Sequence, residues 1–280
     1  MKSTETKSQD KQKKTKLNYN NILIVILAIV LFANLVAMLF FTSTVGGKLD
    51  EAIDLTKPEE GTLTLITPED CPQCVTLDPQ KKGILAQNVD FEEKSINASQ
   101  ADGKAMISKY NITHLPSLVL ETDEKIKLPL MSVLKTGARE IDESTLVWEQ
   151  AQAPYFDLQD SITKGLVDII FLTDSSCATC YDVKVVQKSI LKGFGMYINS
   201  EKTFDISEAD GRELLEKYSI TNVPTIVLSE QASSYQSLNK VWNQIGDIDK
   251  DGSFVVRKLN VLNVIYHDLE TGKIMQATKK

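Results

Sequence analysis

Glycine and proline are sparse in this sequence, at 13 and 8 of 280 residues, so it contains no long low-complexity tract. The sequence also lacks a glycine-rich phosphate-binding loop, and we find no Ser-His-Asp arrangement in it. Cysteine is equally scarce, and all four cysteines fall into two Cys-x-x-Cys pairs that stand 106 residues apart. These absences leave the two thiol pairs as the leading candidates for chemistry.

The length and composition predict a globular protein with more than one domain. A chain of 280 residues suits two domains of modest size, each with its own hydrophobic core. The apolar share of 42% and the charged share of 25% are typical of globular proteins.

The N-terminal segment predicts a membrane anchor. The first twenty residues carry six lysines and two acids, and Ile22 to Phe41 is an uncharged run of twenty residues, long enough to cross a bilayer. The basic flank predicts a cytoplasmic N-terminus and an exported remainder. We therefore expect a basic cytoplasmic head at 1–20, a transmembrane anchor at 21–42 and a stalk at 43–60.

A cleaved signal peptide is the alternative, since residues 42–47 are small enough for a peptidase. The apolar run exceeds the usual signal-peptide core of about 7 to 15 residues, which favours an uncleaved anchor. The whole chain has a net charge of −7 and the head contributes +4, so the remainder carries −11. This acidity argues against nucleic acid or anionic lipid as a partner of the exported part.

The exported part repeats itself. Residues 101–116 align without a gap on residues 209–224, with eight of sixteen positions identical, and an apolar run follows each segment. A weaker similarity joins residues 155–158 to residues 266–269. We therefore predict two similar domains, at 61–160 and 161–280.

Each copy has the pattern of a mixed α/β sheet with helices on its faces. A strand precedes a helix that opens at the cysteine pair, and a second strand and an amphipathic helix lead to a proline and two further strands. The predicted strands are 63–66, 89–96, 117–121 and 125–130 in the first copy and 167–172, 204–207, 225–229 and 254–257 in the second.

The cysteine pairs have the spacing of a redox-active site. At a helix N-terminus, the dipole and free backbone N–H groups would stabilise the thiolates of Cys71 and Cys177. Cys74 and Cys180, two residues further on, could close a small disulfide ring or resolve a mixed disulfide. Pro72 would suit the first position of the helix.

Pro116 and Pro224 follow the first cysteine of each copy by 45 and 47 residues, within the pattern Ile-Thr-x-x-Pro-[Ser/Thr]. With the cysteine pairs, this pattern resembles the thioredoxin superfamily over nearly everything after residue 60. Two tandem thioredoxin-like domains resemble the protein disulfide isomerase and double-thioredoxin disulfide oxidoreductase type. The resemblance implies cis prolines that face the disulfides. It also implies that Leu115-Pro116 and Val223-Pro224 bind an extended substrate strand through backbone hydrogen bonds.

The sequence departs from the family at two positions. Asp70 and Ser176 replace the usual tryptophan before the first cysteine, and Leu65 and Phe171 stand near the position of the family's buried acid. Water, Glu69 or Asp174 would then have to move the proton of the resolving thiol. Glu69 and Asp70 are also expected to raise the thiol pKa of Cys71 and to make the first site less oxidising.

Two other interpretations of the cysteines remain open, a structural disulfide in each domain and a zinc site. A disulfide between cysteines only two residues apart closes a short loop and adds little stability. The two pairs are also too far apart in sequence for a local zinc site of four cysteines. Residues 247–252 match half of a calcium loop, but Lys258 stands where a glutamate is expected, which favours an Asp-Gly turn. His114 is either a neighbour of Cys71 or a loop residue.

The sequence thus predicts a membrane-anchored, extracytoplasmic thiol–disulfide oxidoreductase without metal or cofactor. Cys71 and Cys177 would attack, and Cys74 and Cys180 would resolve. The expected partners are protein thiols and disulfides of exported proteins, a redox partner protein, and the membrane through one helix, with no nucleic acid. The alternative is a redox-inactive peptide-binding or chaperone protein with structural disulfides.

Overall fold

The computed structural model describes residues 19–276, and the lysines of the expected basic head lie outside this range. The chain divides into two compact units between Lys57 and Pro58.

The first unit contains the helix α1, Tyr19–Thr56. Its segment Ile22–Leu49 has 28 residues and includes an 18-residue stretch with a mean hydropathy of 3.1 and no buried residue, so it is long and apolar enough to cross a membrane. The helix continues through Gly46 and Gly47, in the segment assigned to the stalk. One glycine costs a helix only about 1 kcal/mol, which the long flanking apolar run can tolerate.

The second unit begins with the first copy of the repeat. Its elements are β1 Glu59–Thr67, α2 Asp78–Leu85, β2 Val89–Asn97, α3 Ala101–Tyr110, β3 His114–Leu115, β4 Ser117–Thr122, α4 Leu128–Leu134, β5 Arg139–Asp142, β6 Thr145–Glu149, β7 Tyr155–Asp157 and β8 Ile162–Lys164. Five of these strands form a sheet in the order β2-β1-β4-β6-β5. The pair β1–β2 is parallel, and β4, β6 and β5 are antiparallel to their neighbours.

The second copy has the elements β9 Leu166–Thr173, α5 Val183–Gly193, β10 Tyr197–Asp205, α6 Ala209–Lys217, β11 Asn222–Val223, β12 Thr225–Leu228, α7 Gln236–Asn239, β13 Gly246–Ile248, β14 Phe254–Val256, β15 Ile265–Asp268 and β16 Lys273–Gln276. Its five-stranded sheet has the order β10-β9-β12-β14-β13. In both sheets, the first strand of the copy lies between a parallel and an antiparallel neighbour: β1 lies between β2 and β4, and β9 lies between β10 and β12. The antiparallel neighbours β4 and β12 each follow the cis proline of their copy.

Two predicted strands need correction. Residues 125–130 form no strand, because α4 begins at Leu128 with a proline in its first turn, a position that suits proline better than a sheet does. The strand that pairs with β4 on the side away from β1 is β6 instead. In the second copy β10 begins at Tyr197 and ends at Asp205, so the predicted range 204–207 covers only its end.

Each copy also contains a small three-stranded sheet, with the orders β3-β7-β8 and β11-β15-β16. The hairpins β7–β8 and β15–β16 contain the weakly similar segments 155–158 and 266–269. The β7–β8 hairpin crosses the predicted domain boundary at 160 and 161.

Both five-stranded sheets are buried on two faces. In β4, Leu118 and Leu120 belong to one apolar cluster, whereas Val119 between them belongs to another. In β12, Ile226 and Leu228 likewise belong to one apolar cluster, whereas Val227 between them belongs to another. Successive side chains of a strand point to opposite faces, so each sheet has an apolar layer on either side.

The identical Ala-Asp-Gly sequences at the start of α3 and α6 have a packing reason. A Cβ at Gly103 would lie 2.2 Å from the carbonyl oxygen of Asn97, and one at Gly211 would lie 2.0 Å from that of Asp205. Each helix therefore starts against the end of the preceding strand at a distance that only glycine allows. The architecture is the predicted one, an N-terminal apolar helix followed by two α/β copies with mixed sheets and helices on their faces.

Candidate active site

Each cysteine pair forms a disulfide in a turn at the end of the first strand of its copy. Cys71 is bonded to Cys74 and Cys177 to Cys180, with Cα–Cα distances of 5.3 and 5.4 Å. In each turn the second cysteine donates its backbone N–H to the carbonyl oxygen of the first, at 3.1 and 3.3 Å. The sequence predicted each pair to open a helix, and this prediction is wrong.

The helices begin later, at Asp78 and Val183. Local capping explains these positions, because the Asp182 side chain accepts from two backbone N–H groups of α5, and α2 has a proline in its first turn. The effect of a helix dipole is confined to its first turn. The dipoles of α2 and α5 therefore do not act directly on Cys71 and Cys177, and Pro72 lies in a turn.

The peptide bonds Leu115-Pro116 and Val223-Pro224 are cis, as the resemblance implied. In the first copy, Gln150 donates its backbone N–H to the Pro116 carbonyl oxygen at 3.1 Å and its side-chain amide to the carbonyl oxygen of Val75 at 2.9 Å. Val75 directly follows Cys74, so Gln150 connects the proline loop to the cysteine turn.

In the second copy a tyrosine makes this connection. The Tyr181 hydroxyl donates to the Pro224 carbonyl oxygen at 3.0 Å, and Tyr181 directly follows Cys180. Burial raises the pKa of Tyr181 to about 12, so the hydroxyl stays protonated as a donor. The structure thus brings the predicted cysteines and prolines together in both copies.

A further cis bond, Ala153-Pro154, was not anticipated from the sequence. The Pro154 carbonyl oxygen accepts from the backbone N–H of Val75 at 2.8 Å. Ile265 plays the same part in the second copy, where its carbonyl oxygen accepts from the Tyr181 N–H at 3.0 Å. Each cysteine turn is therefore also held by the chain that enters the hairpin.

The hairpins occupy the backbone edge next to each cis proline. Leu115 pairs with Phe156 and Val223 pairs with His267 in antiparallel ladders. The carbonyl oxygen of Thr113 accepts from the Leu158 N–H at 2.9 Å, and hydrogen-bonded pairs alternate along such a ladder. Leu115 and Phe156 therefore form a hydrogen-bonded pair, and the same register holds for Val223.

The hairpin β7–β8 also contacts the first disulfide. Thr163 lies opposite Phe156, and its Oγ1 lies 3.6 Å from the Sγ of Cys71. The His114 ring packs against the Tyr155 ring in a tilted arrangement, with 4.4 Å between ring centroids, and its Nε2 lies 4.0 Å from Asp157. The contacts of His114 are thus those of a strand residue packed on the hairpin.

An acid at the start of the second cysteine turn is paired with an imidazole. Asp174, 7% exposed, accepts from the backbone N–H of Ser176 at 3.0 Å and also from its hydroxyl. The other carboxylate oxygen of Asp174 lies 2.6 Å from the Nδ1 of His267. Burial alone would raise the pKa of Asp174, but these hydrogen bonds outweigh it and hold the pKa below its ordinary value.

Asp205 holds the start of the same turn. It accepts from the backbone N–H of Ser175 at 2.7 Å and from the hydroxyls of Ser175, Ser207 and Thr173. Burial opposes ionisation, but the hydrogen bonds prevail and lower the pKa of Asp205 to about 2. The carboxylate therefore stays ionised at neutral pH and anchors the turn before Cys177.

Sequence reasoning missed Gln150, Thr163, Tyr181 and His267 as parts of these sites. Tyr181 could have been noticed because it follows Cys180, and His267 because it lies in the weakly repeated segment. Gln150 and Thr163 carry no local pattern, since only the pairing of distant strands brings them to the cysteines.

The residues of the proposed calcium loop have cationic partners. Arg257 bonds Asp247 at 2.6 Å and Asp249 at 3.3 Å, and Lys217 bonds Asp251 at 2.8 Å. Within residues 19–276, no cluster of three or more His, Cys, Asp or Glu side chains is arranged to hold a metal ion. The acidic segment is a turn between β13 and β14.

No protein-family model matches the chain, and no curated protein sequence matches it. Among solved structures, ERdj5 is similar at 8% identity over 68% of this chain and 26% of its own, with a TM-score of 0.21. The chain thus spans about a quarter of the length of ERdj5.

Two bacterial or archaeal structures are similar over more of their own length. The alkylhydroperoxide reductase protein AhpF of Enterococcus faecalis matches at 16% identity over 63% of this chain and 85% of its own, with a TM-score of 0.19. A protein disulfide oxidoreductase from Aeropyrum pernix matches at 15% identity over 62% and 77%, with a TM-score of 0.18. The TM-scores are low, so a function for this chain has to be argued from its own residues.

Proposed function

We propose that this protein is a membrane-anchored, extracytoplasmic thiol–disulfide oxidoreductase with two redox sites. One observation carries the proposal. In both copies, the residue that follows the second cysteine is connected to the cis-proline loop by hydrogen bonds, through Gln150 in the first copy and through the hydroxyl of Tyr181 itself in the second. A disulfide that served stability alone would contribute little to the free energy of unfolding, because it closes so short a loop.

In the proposed reaction, the reduced site exchanges with a disulfide of an exported protein. The Cys71 or Cys177 thiolate attacks one substrate sulfur, and the other substrate sulfur leaves with the electron pair of the broken bond and takes up a proton. Cys74 or Cys180 then loses its proton and attacks the mixed disulfide, which releases the second substrate thiol. Two electrons pass from the dithiol to the substrate, and the reverse sequence oxidises a substrate dithiol.

The location rests on α1. Its apolar segment of 28 residues and the basic residues before it favour a single span with the N-terminus in the cytoplasm. Disulfides persist outside the cytoplasm, where protein thiols and disulfides of exported proteins would be the substrates. A redox partner protein would restore each site after turnover.

The second candidate is a redox-inactive protein that binds peptides or acts as a chaperone. It is favoured by the low exposure of Cys177, at 9%, and by the pairing of Leu115 and Val223 with the chain's own hairpins. An attacking thiol must meet its substrate, so a covered cysteine suits a structural disulfide.

Replacement of Cys71 and Cys177 by serine separates the two functions. We expect the double variant to lose insulin reduction and the refolding of reduced substrates, whereas a chaperone would keep its protection of unfolded substrate. Replacement of the exposed Ser237 of α7 by alanine, which leaves both cysteine pairs and their turns intact, is a control for nonspecific loss of activity. Full activity of the double variant would refute the proposal.

A further inference from the structure

The protein has two histidines, and each lies beside one of the cis prolines. His114 stands two residues before Pro116, and His267 lies opposite Val223, the residue before Pro224. The matched positions are Asn222 for His114 and Phe156 for His267. Each site therefore has one histidine, and the two histidines, His114 and His267, lie on strands that do not correspond.

The side chain of His267 can be placed by comparison of the copies. In the first copy, Leu115, Phe156 and Thr163 lie opposite one another across three strands, and the Thr163 hydroxyl contacts the Cys71 sulfur at 3.6 Å. Residues directly opposite one another in a sheet point to the same face. His267 is the middle residue of the matching row Val223, His267 and Ile274, so its ring lies on the face that corresponds to the Thr163 face of the first copy.

The contact with Asp174 places the ring independently. Asp174 stands three residues before Cys177, and its carbonyl oxygen accepts from the Cys177 backbone N–H at 3.2 Å. Its carboxylate lies 2.6 Å from the Nδ1 of His267. In the first copy the positions of these two residues hold Pro68 and Phe156, which can form no such pair.

The chemistry of this pair fixes which ring nitrogen is available. An ionised carboxylate can only accept a hydrogen bond, so Nδ1 carries the proton in the pair. The Nε2 of the neutral imidazole is then the basic atom, and it is free of the Asp174 contact. A carboxylate that orients an imidazole in this way also stabilises the imidazolium that forms when Nε2 takes a proton.

We infer that His267, positioned by Asp174, moves the proton of the resolving thiol at the second site. In the resolving step, the Cys180 thiol gives its proton to Nε2, and its sulfur attacks the Cys177 sulfur of the mixed disulfide. The bond between Cys177 and the substrate sulfur breaks. The substrate leaves with the electron pair as a thiolate and takes the proton from the imidazolium.

The surroundings of His267 suit a proton carrier. Its neighbours across the two ladders are Val223 and Ile274, which are apolar. Asp174, which follows β9, and Asp268, the next residue of its own strand, both interact with His267, and this interaction helps to lower the pKa of each carboxyl group.

The inference rests on the proposed function and is tested on the full-length protein in detergent. Cys71 and Cys74 are replaced by serine so that only the second site contributes to the measured rate. The rate at which the reduced site reacts with oxidised glutathione is measured against pH for the parent and for His267→Phe and Asp174→Asn. Phenylalanine is the residue of the first copy at this position, so the fold accepts it there, and asparagine keeps the shape of Asp174 without its charge.

We expect both variants to react about tenfold more slowly than the parent at neutral pH and to lose an inflection that the parent profile shows. His114→Asn, which introduces the residue of the second copy, is the control and should leave the profile unchanged. Folded variants with the parent's rate and profile would overturn the inference and leave the proposed function intact. A parent whose reduced second site does not react at all would overturn both.

Discussion

Leu115, the residue before cis-Pro116, forms a hydrogen-bonded pair with Phe156 of the β7–β8 hairpin. The backbone groups expected to bind a substrate strand are therefore already used within the chain. If a substrate takes this edge, β7 has to leave it.

Amide hydrogen exchange tests this displacement. We expect the amides of residues 155–158 to be protected in the free protein, because their ladder and the Thr113 contact are intact. A mixed disulfide trapped with an unfolded substrate in Cys74→Ser should remove that protection. The amides of 265–268 in the unreacted second copy are the internal control, and unchanged protection at 155–158 in the trapped complex would show that substrates bind elsewhere.

The acids beside the first disulfide should tune its reduction potential. Glu69 and Asp70 are both exposed, so their effect on a nearby thiolate is weakened by solvent. We expect Glu69→Gln with Asp70→Asn to make the first site more oxidising by about 10 to 20 mV, since neutral neighbours stabilise the thiolate. Titration with glutathione buffers at fixed pH measures the potential. Glu60→Gln with Asp90→Asn, which neutralises two exposed acids at the other end of β1 and β2, is the matched control for the change of charge. A shift toward a more reducing potential would contradict this expectation.

Acid should weaken the second copy through Asp205. Its folded pKa of about 2 lies below the ordinary value of 3.8, so its contribution to stability is complete above about pH 4. That contribution is lost as the pH falls toward about 2. We expect Asp205→Asn, which introduces the residue found at Asn97 in the first copy, to be less stable than the parent at neutral pH. Urea unfolding at several pH values measures the difference, which should narrow between about pH 4 and about pH 2.

The close approach of α3 to β2 predicts a large cost for Gly103→Ala. The new Cβ would lie 2.2 Å from a backbone oxygen, so strand or helix must shift, at a cost of about 1 to 3 kcal/mol in the free energy of unfolding. Gly83→Ala in α2 is the control, because nothing lies within 4 Å of its Cβ and alanine favours the helix. Denaturant unfolding compares the two, and equal stabilities would show that the contact is relaxed in solution.

The anchor is tested by fractionation. We expect the full-length protein to stay with membranes after a carbonate wash, and a chain that begins at Pro58 to be soluble with both disulfides formed. Release of a shortened form from the full-length protein would instead indicate a cleaved signal peptide.

The sequence predicted the strands and helices whose signal is local. The apolar runs of β1, β4, β9 and β12 and the repeated helices α3 and α6 follow from periodicity and duplication. The predicted helix start at Cys71 failed, because the turn of the disulfide and the later capping positions decided where α2 and α5 begin.

The candidate sites were predictable only in part. The cysteines and prolines are visible as spaced motifs, and the structure places them together. The contact of Thr163 with Cys71 and the pair Asp174–His267 join residues 92 and 93 positions apart. The hairpins pair with strands 41 and 44 positions earlier, and no local pattern in the sequence contains both partners.

The unequal burial of Cys71 and Cys177 implies that a large thiol reagent reacts with the first site before the second. Cys71 is partly exposed, whereas Cys177 is 9% exposed. A bulky protein would meet the first sulfur readily and the second with difficulty, whereas a small thiol could reach both. Brief treatment with a large thiol-specific polymer after reduction should therefore label the two sites one after the other. The two halves of a duplicated chain would then differ in the size of the molecules they serve.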